Sequence, residues 1–289
     1  MMGGKTMTSE QMAWKIRRHG IEMTHLSGGS HIASILSVAD ILAVLYTDVL
    51  HVDPQDPKLD TRDRFILSKG HAGAAVYAAL AERGFFDPEI LKTHYQDGSL
   101  LSGHVSHKGV PGVEFSTGSL GHGLPVAVGM AMAAKLDGKK HRVYVVLGDG
   151  ECDEGSNWEA ALFASHHELN NLTVIVDHNK MQSLDFCDNT LRLSPFAEKW
   201  RAFGFHVCDI DGHDHAALHA AFDEAKRQDG PTVILANTVK GKGISFMEFD
   251  ILWHYRFPHD GWEYDDAVRE LRQAMPAGIT DPYEKEDAQ

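Results

Sequence analysis

Apolar positions recur along this chain with two periods, one near 3.6 residues and one of short continuous runs. From Thr8-Ser9-Glu10-Gln11, which reads as a capping box, an amphipathic helix is expected to about Leu26. Ser27-Gly28-Gly29-Ser30-His31 is a Gly-rich turn, and Ser37 is expected to cap a second helix with Ile41, Leu42, Leu45 and Val49 on one face. Asp53-Pro54-Gln55-Asp56-Pro57 breaks the pattern as a loop. Short apolar or β-branched runs predict buried strands at Arg64–Leu67, Arg142–Leu147, Leu172–Val176, His206–Ile210 and Thr232–Ala236. Helices are expected at Ala72–Arg83, from Asp87-Pro88 onward, and over Leu124–Leu136, Gly155–Leu169, Pro195–Phe203, Ala216–Arg227 and Tyr264–Met275. Residues 97–123 form a long Gly/Ser/His-rich stretch, a length that inside a compact domain marks a functional or disordered loop.

Strands alternating with helices in this order imply an α/β fold, a doubly wound, mostly parallel sheet with helices on both faces. No repeat, linker or shift of composition divides the chain. One domain is expected over residues 1–275, with a charged, flexible tail over 276–289.

The composition of 43% hydrophobic and 24% charged residues belongs to an ordinary globular protein. A net charge of -14 argues against nonspecific binding to nucleic acid or acidic membranes. Charged or polar residues interrupt every apolar run, so no bilayer span is expected, and the first residues lack the apolar core of a secretory signal. Cys152, Cys187 and Cys208 show no CxxC spacing, which points to a reducing cytoplasm. Nineteen scattered histidines either sit on the surface or converge on one anionic ligand.

Gly148-Asp149-Gly150 follows one strand, and Asn179 follows the next after a βαβ length, with residues 151–177 between. A bare GDG most often marks a tight turn with Asp as a cap. The spacing to Asn179 places two side-chain oxygens at the carboxyl ends of adjacent parallel strands, where open α/β sheets bind ligands. A charged and a neutral oxygen there suit a hard divalent cation carrying phosphate. Asn170-Asn171 precedes its strand and reads as a turn. His104-Val105-Ser106-His107 and His213-Asp214-His215 lack a third ligand at zinc spacing.

The further motifs Ser68-Lys69-Gly70-His71, Ser116-Thr117-Gly118-Ser119-Leu120-Gly121-His122-Gly123, GDGECDEGSNWEAALFAS, TVKGKGISFME and Trp253-His254 stand in the order found in transketolases. From about residue 10 to about residue 260 the chain resembles the N-terminal, diphosphate-binding half of that family. The resemblance implies the thiamine diphosphate-binding fold and thiamine diphosphate with Mg2+, for which Ca2+ or Mn2+ can substitute. It implies Asp149, Asn179 and the carbonyl of Met181 as metal ligands, and Lys69, Gly118, Ser119, Leu120, Gly148, Gly150, Glu151 and Lys240 around the cofactor. His71 and His254 are implied near the diphosphate and reacting centre, as imidazolium groups that partly neutralise phosphate. His31 and His104 are implied at donor-ketose hydroxyls, moving protons, and Glu154 and Glu159 as an acidic pair linking two active sites.

The resemblance ends where a full-length relative continues into its pyrimidine-binding domain. It therefore implies a separate C-terminal transketolase subunit carrying the pyrimidine-binding and C-terminal domains, an α2β2 assembly, and a sugar or sugar phosphate substrate. The implied activity is transfer of a two-carbon ketol unit from a ketose to an aldehyde. The alternatives are the alpha-type subunit of a 2-oxo acid dehydrogenase or other thiamine enzyme, and a non-catalytic regulatory half. The chain departs from the family pattern at Gly29-Ser30-His31-Ile32-Ala33, at His122, and at Tyr255, which follows Trp253-His254 where Gly is usual.

Overall fold

The computed structural model describes residues 7–284. Helices α1 (Ser9–Ser27), α2 (Ile32–Val44) and α3 (Gly73–Glu82) lie early in the chain, with strand β1 (Arg64–Leu67) between the last two. There follow α4 (Gly123–Leu136), β2 (Val143–Gly148), α5 (Gly155–His166), β3 (Leu172–His178), α6 (Cys187–Thr190), α7 (Phe196–Ala202), β4 (His206–Asp211), α8 (His215–Ala225), β5 (Thr232–Asn237) and α9 (Trp262–Gln273). The strands form one sheet in the order β1-β2-β3-β5-β4, and every pairing is parallel.

Alternation along the strands sends side chains to two cores. Phe65, Leu67, Tyr144, Val146, Ile175 and Ile234 join the cluster containing α1, α2 and α3. Ile66, Val143, Val145, Leu147, Val174, Val176 and Val233 join the other, with α4, α5 and α7. Register aligns Gly148 with Asp177 and His178 with Asn237, so the residues that follow each strand emerge along one edge.

The capping box at α1 is present, with the Thr8 hydroxyl accepting the Gln11 N–H at 3.3 Å and the Gln11 side chain accepting that of Thr8 at 3.0 Å. Gly28, at φ 66, ends α1 in the left-handed conformation that glycine adopts without steric cost. Ser37 is not a cap. The helix starts at Ile32, and Ser37 is buried inside it, because the apolar run Ile32-Ala33-Ser34-Ile35-Leu36 is already fully enclosed.

The expectation that no segment could span a bilayer is also corrected. Ile32–Val49 is a continuous helical stretch of 18 residues with mean hydropathy 1.8, long and apolar enough by composition. It is 83% buried inside the protein, packed against α1, α3 and α8, and is the central core helix.

The chain from Pro276 to Glu284 does not fray, against expectation, while residues 285–289 lie outside the described part. Asp281 is buried and accepts from Arg18 Nε at 3.0 Å and Arg272 Nε at 2.8 Å. Arg18 stacks over the Tyr283 ring at 4.5 Å, and the Tyr283 hydroxyl meets His19 Nδ1 at 2.7 Å. A charged segment is held because its carboxylate satisfies two guanidinium groups, one of them fully enclosed. Asp281→Ala leaves Arg18 buried with one fewer partner and is expected to destabilise the fold by about 3 kcal/mol, read by urea denaturation.

Candidate active site

A cavity of ≈ 350 Å³ opens at the carboxyl edge of β1, β2 and β3. Its walls come from the turns after those strands, the start of α2, the 104–120 loop, Lys240 and the segment His254-Tyr255. The long loop is ordered by short backbone pairings: Val105 N–H donates to Gly70 at 3.1 Å and Thr117 N–H to Val105 at 3.2 Å. Gly150 allows close approach, since a Cβ there would lie 2.6 Å from Cγ of Gln182.

Asp177, at the end of β3, organises the floor. Its carboxylate is fully buried and accepts from the Lys69 ammonium, the Thr238 hydroxyl and the Ser37 hydroxyl, the last at 2.7 Å. Burial alone raises this carboxyl, but the adjoining ammonium and hydroxyls hold it below the usual carboxylate range. Lys69 is equally buried, so each charge exists because of the other.

Asp149 and Asn179 follow β2 and β3 as their spacing predicts, and both are buried. The Asp149 carboxylate accepts only the backbone N–H groups of Gly150 and Lys180 and makes no salt bridge among the described residues. Burial pushes its pKa up. The Met181 carbonyl accepts from the Lys240 ammonium at 3.1 Å. A carboxylate lacking a counter-cation, an amide oxygen and a carbonyl already holding a cation make a hard-oxygen donor set that fits a divalent ion.

Four histidines gather in the same cavity. The ring centre of His31 lies 5.0 Å from His71, 5.9 Å from His104 and 5.2 Å from His254. His31 is at the α2 start with φ 74, a left-handed conformation unusual for a side chain of its size, which turns its ring into the cluster. In the chain by itself burial favours the neutral form of these imidazoles, where imidazolium was expected beside bound phosphate. The Lys240 ammonium donates to His254 Nδ1 at 2.7 Å, so that nitrogen carries no proton. Burial, with Lys240 and the neighbouring rings adding to it, brings His254 down to about 3. Burial, then His104 and the lysines, brings His31 down to about 4. His71 falls well below the ordinary value through burial and Lys69, and His104 falls through burial. Lys240, lowered to about 8 by burial and Lys69, still carries most of its charge at neutral pH.

Residues 8–251 match the family described as transketolase, thiamine diphosphate binding domain. The chain belongs to the transketolase family. It is 40% identical over 274 residues to the 6-deoxy-6-sulfo-D-fructose transketolase subunit SqwG of Clostridium sp. (strain MSTE9), covering 94% of this chain and 99% of that one. It is 44% identical over 265 residues to an apulose-4-phosphate transketolase subunit from Actinobacillus succinogenes, covering 91% and 95%. The Campylobacter jejuni transketolase structure superimposes with a TM-score of 0.86 at 30% identity, covering 94% of this chain and 44% of that one. The doubly wound sheet is therefore the thiamine diphosphate-binding fold, and this transketolase chain spans less than half of that solved relative.

Within the transketolase cavity stand His31, His71, His104, His254, Lys69, Lys240, Gly118, Leu120, Gly148, Asp149, Gly150, Glu151, Asn179 and Met181. Glu151 turns its carboxylate into the protein, accepting from Gly121 N–H at 2.9 Å, Gly148 N–H at 3.0 Å and the Ser68 hydroxyl. It braces the turn and offers the cavity no free charge. Ser119, Glu154 and Glu159 do not line the cavity and are exposed on this chain.

Sequence reasoning missed Ser34, Gln182 and Ser183, which line the cavity, and Asp177 beneath it. Asp177 had a signal: an acidic residue at the end of a buried, largely apolar strand calls for a cation or hydroxyl partner. The suspected zinc fragments resolve otherwise. His107 Nδ1 meets Ser116 Oγ at 2.7 Å, and His213 and His215 bind Asp40.

Two outcomes are expected. In NMR titrations of the isolated chain, His31 and His254 stay neutral between about pH 5 and 8, whereas ordinary histidines titrate there. Asp177→Asn leaves Lys69 buried without its counter-charge and lowers unfolding stability by about 3–5 kcal/mol in denaturant melts.

Proposed function

We propose that this chain is the N-terminal subunit of a two-chain transketolase, working with Mg2+ and thiamine diphosphate, with Ca2+ or Mn2+ able to replace Mg2+. The complex moves a two-carbon ketol unit from a ketose, or ketose phosphate, to an aldehyde. The observation that carries this reading is the polarity of one cavity. Buried oxygen donors, two lysine ammonium groups and four imidazoles line it together, with Lys240 in contact with His254.

Asp149, Asn179 and the Met181 carbonyl hold the metal, and Lys69 and Lys240 offset the diphosphate charge, with backbone at Gly118, Leu120, Gly148 and Gly150 lining the rest. When bound, thiamine diphosphate supplies the carbon nucleophile that makes carbon–carbon cleavage possible. The protein's task is then to move protons at sugar hydroxyls. An unprotonated imidazole accepts a hydroxyl proton and returns it, and His31 and His104, the more open members of the cluster, suit that role. His71 and His254 lie deeper, beside the lysines.

The acidic residues of this cavity are all engaged: Asp149 by backbone N–H groups, Glu151 by the turn, Asp177 by Lys69. None is free to protonate an aminopyrimidine ring. That acid, and the rest of the sugar groove, come from a separate C-terminal subunit with pyrimidine-binding and C-terminal domains. The relatives named as subunits match this chain along nearly its whole length, which supports such a division. In an α2β2 assembly the exposed Glu154 and Glu159 would supply the acidic pair linking two such sites. The three buried, unpaired cysteines fit a cytoplasmic setting.

The purified pair of chains, given Mg2+ and thiamine diphosphate, is expected to transfer a ketol group between a ketose and an aldehyde. Pyruvate decarboxylation in its place would favour a 2-oxo acid dehydrogenase component, and metal-dependent cofactor binding in neither assay would favour a regulatory half. Asp149→Ala removes an uncompensated buried carboxylate. It is expected to abolish cofactor binding by isothermal titration while the melting temperature of the isolated chain holds or rises. His104→Ala is expected to lower kcat about 10²-fold with cofactor affinity changed much less.

A further inference from the structure

The β4–α8 turn, Asp211-Gly212-His213-Asp214, carries an imidazole that belongs to no part of the cavity wall. The turn is rigid. Gly212 N–H donates to Asn237 at 2.8 Å, His213 N–H to the Asp211 carboxylate at 2.9 Å, and Asp214 caps α8. The His213 side chain is largely enclosed and reaches two partners. His213 Nδ1 lies 2.6 Å from Oδ2 of Asp40, and His213 Nε2 lies 2.8 Å from the backbone nitrogen of Val239.

These two contacts fix the tautomer. The Val239 N–H can only donate, so Nε2 is the bare nitrogen and Nδ1 carries the proton that Asp40 accepts. Asp40 can accept because it is ionised: burial opposes this, but the Arg17 guanidinium and the two histidines hold the carboxyl well below its usual range. Arg17 Nη1 is at 3.1 Å and His215 Nε2 at 3.1 Å, so the carboxylate is held from three sides.

Val239 is two residues past the end of β5, where no sheet partner remains for its N–H. Thr238 before it is tied to Asp177. Lys240 after it sends its ammonium to the Met181 carbonyl and His254 Nδ1. We infer that Asp40 and His213 are positioning residues: a carboxylate–imidazole clamp on the Val239 N–H that fixes where β5 releases the chain and so aims Lys240 at the diphosphate side of the cavity. The clamp also joins the Lys240 loop to α2, the helix that carries His31 at its start, so two elements of the cavity lining share one anchor.

This inference rests on the cofactor assignment above. The experiment is a thiamine diphosphate titration of the two-chain complex with Mg2+, followed by fluorescence quenching, and wild-type binding in the same titration tests that assignment by itself. His213→Leu keeps bulk but makes neither hydrogen bond. It is expected to weaken cofactor affinity roughly tenfold, with kcat at saturating cofactor falling less than affinity does. His213→Gln, which can offer an N–H to Asp40 and an oxygen to Val239, is expected to recover most of the affinity. A lower melting temperature for His213→Leu with unchanged cofactor affinity would show a merely structural role and overturn the inference. If His213→Leu does not fold, His213→Gln against the shorter His213→Asn decides, and equal cofactor affinity of those two sinks the clamp.

Discussion

The Lys69–Asp177 pair is the constraint on which the cavity depends. Neither charge is reached by water, and a lone ion at either position would cost several kcal/mol. Their pairing ties the turn after β1 to the end of β3, two strands away across β2. The remaining Asp177 lone pairs draw in Ser37 from α2 and Thr238 from the end of β5. Four segments separated in sequence by up to 201 positions, from Ser37 to Thr238, thus meet at one carboxylate. Asn179 is two residues further along the same chain, so the position of its amide group at the cavity is inherited from that junction.

Burial makes a further proton on the packed ring cluster unfavourable, and the two buried lysines add to the effect for His31, His71 and His254. Positive charge is thereby concentrated on the lysines, while the neutral imidazoles keep an open lone pair, although the two kinds of group lie within a few ångströms.

The sheet and its order of elements were legible because buried parallel strands write continuous apolar runs, and helices between them write a 3.6 period. Asp149 and Asn179 were legible because spacing over one βαβ unit fixes which strand ends are adjacent. Ser37 was misread because a local rule, serine before an apolar stretch, lost to a tertiary partner 140 positions away. The charged C-terminal stretch was misread for the same reason: only the fold shows that Arg18 and Arg272 converge on Asp281. Charge states were the least legible. Histidine suggests a cation near phosphate, and only the fold shows that burial, with Lys69 and Lys240 nearby, favours the neutral ring.

The helical stretch Ile32–Val49 bears on how the protein is made. It lies near the start of the chain, yet the surfaces that cover it include α3 and α8, the latter ending at Ala225. During synthesis it emerges long before α8 exists, and for that interval it offers water an apolar segment of membrane-spanning length. Its two acids, Asp40 and Asp48, lower the fitness of the segment for insertion into lipid. Asp40 thus serves the folded protein by holding Arg17, His213 and His215, and by its charge makes the same segment a poorer bilayer span.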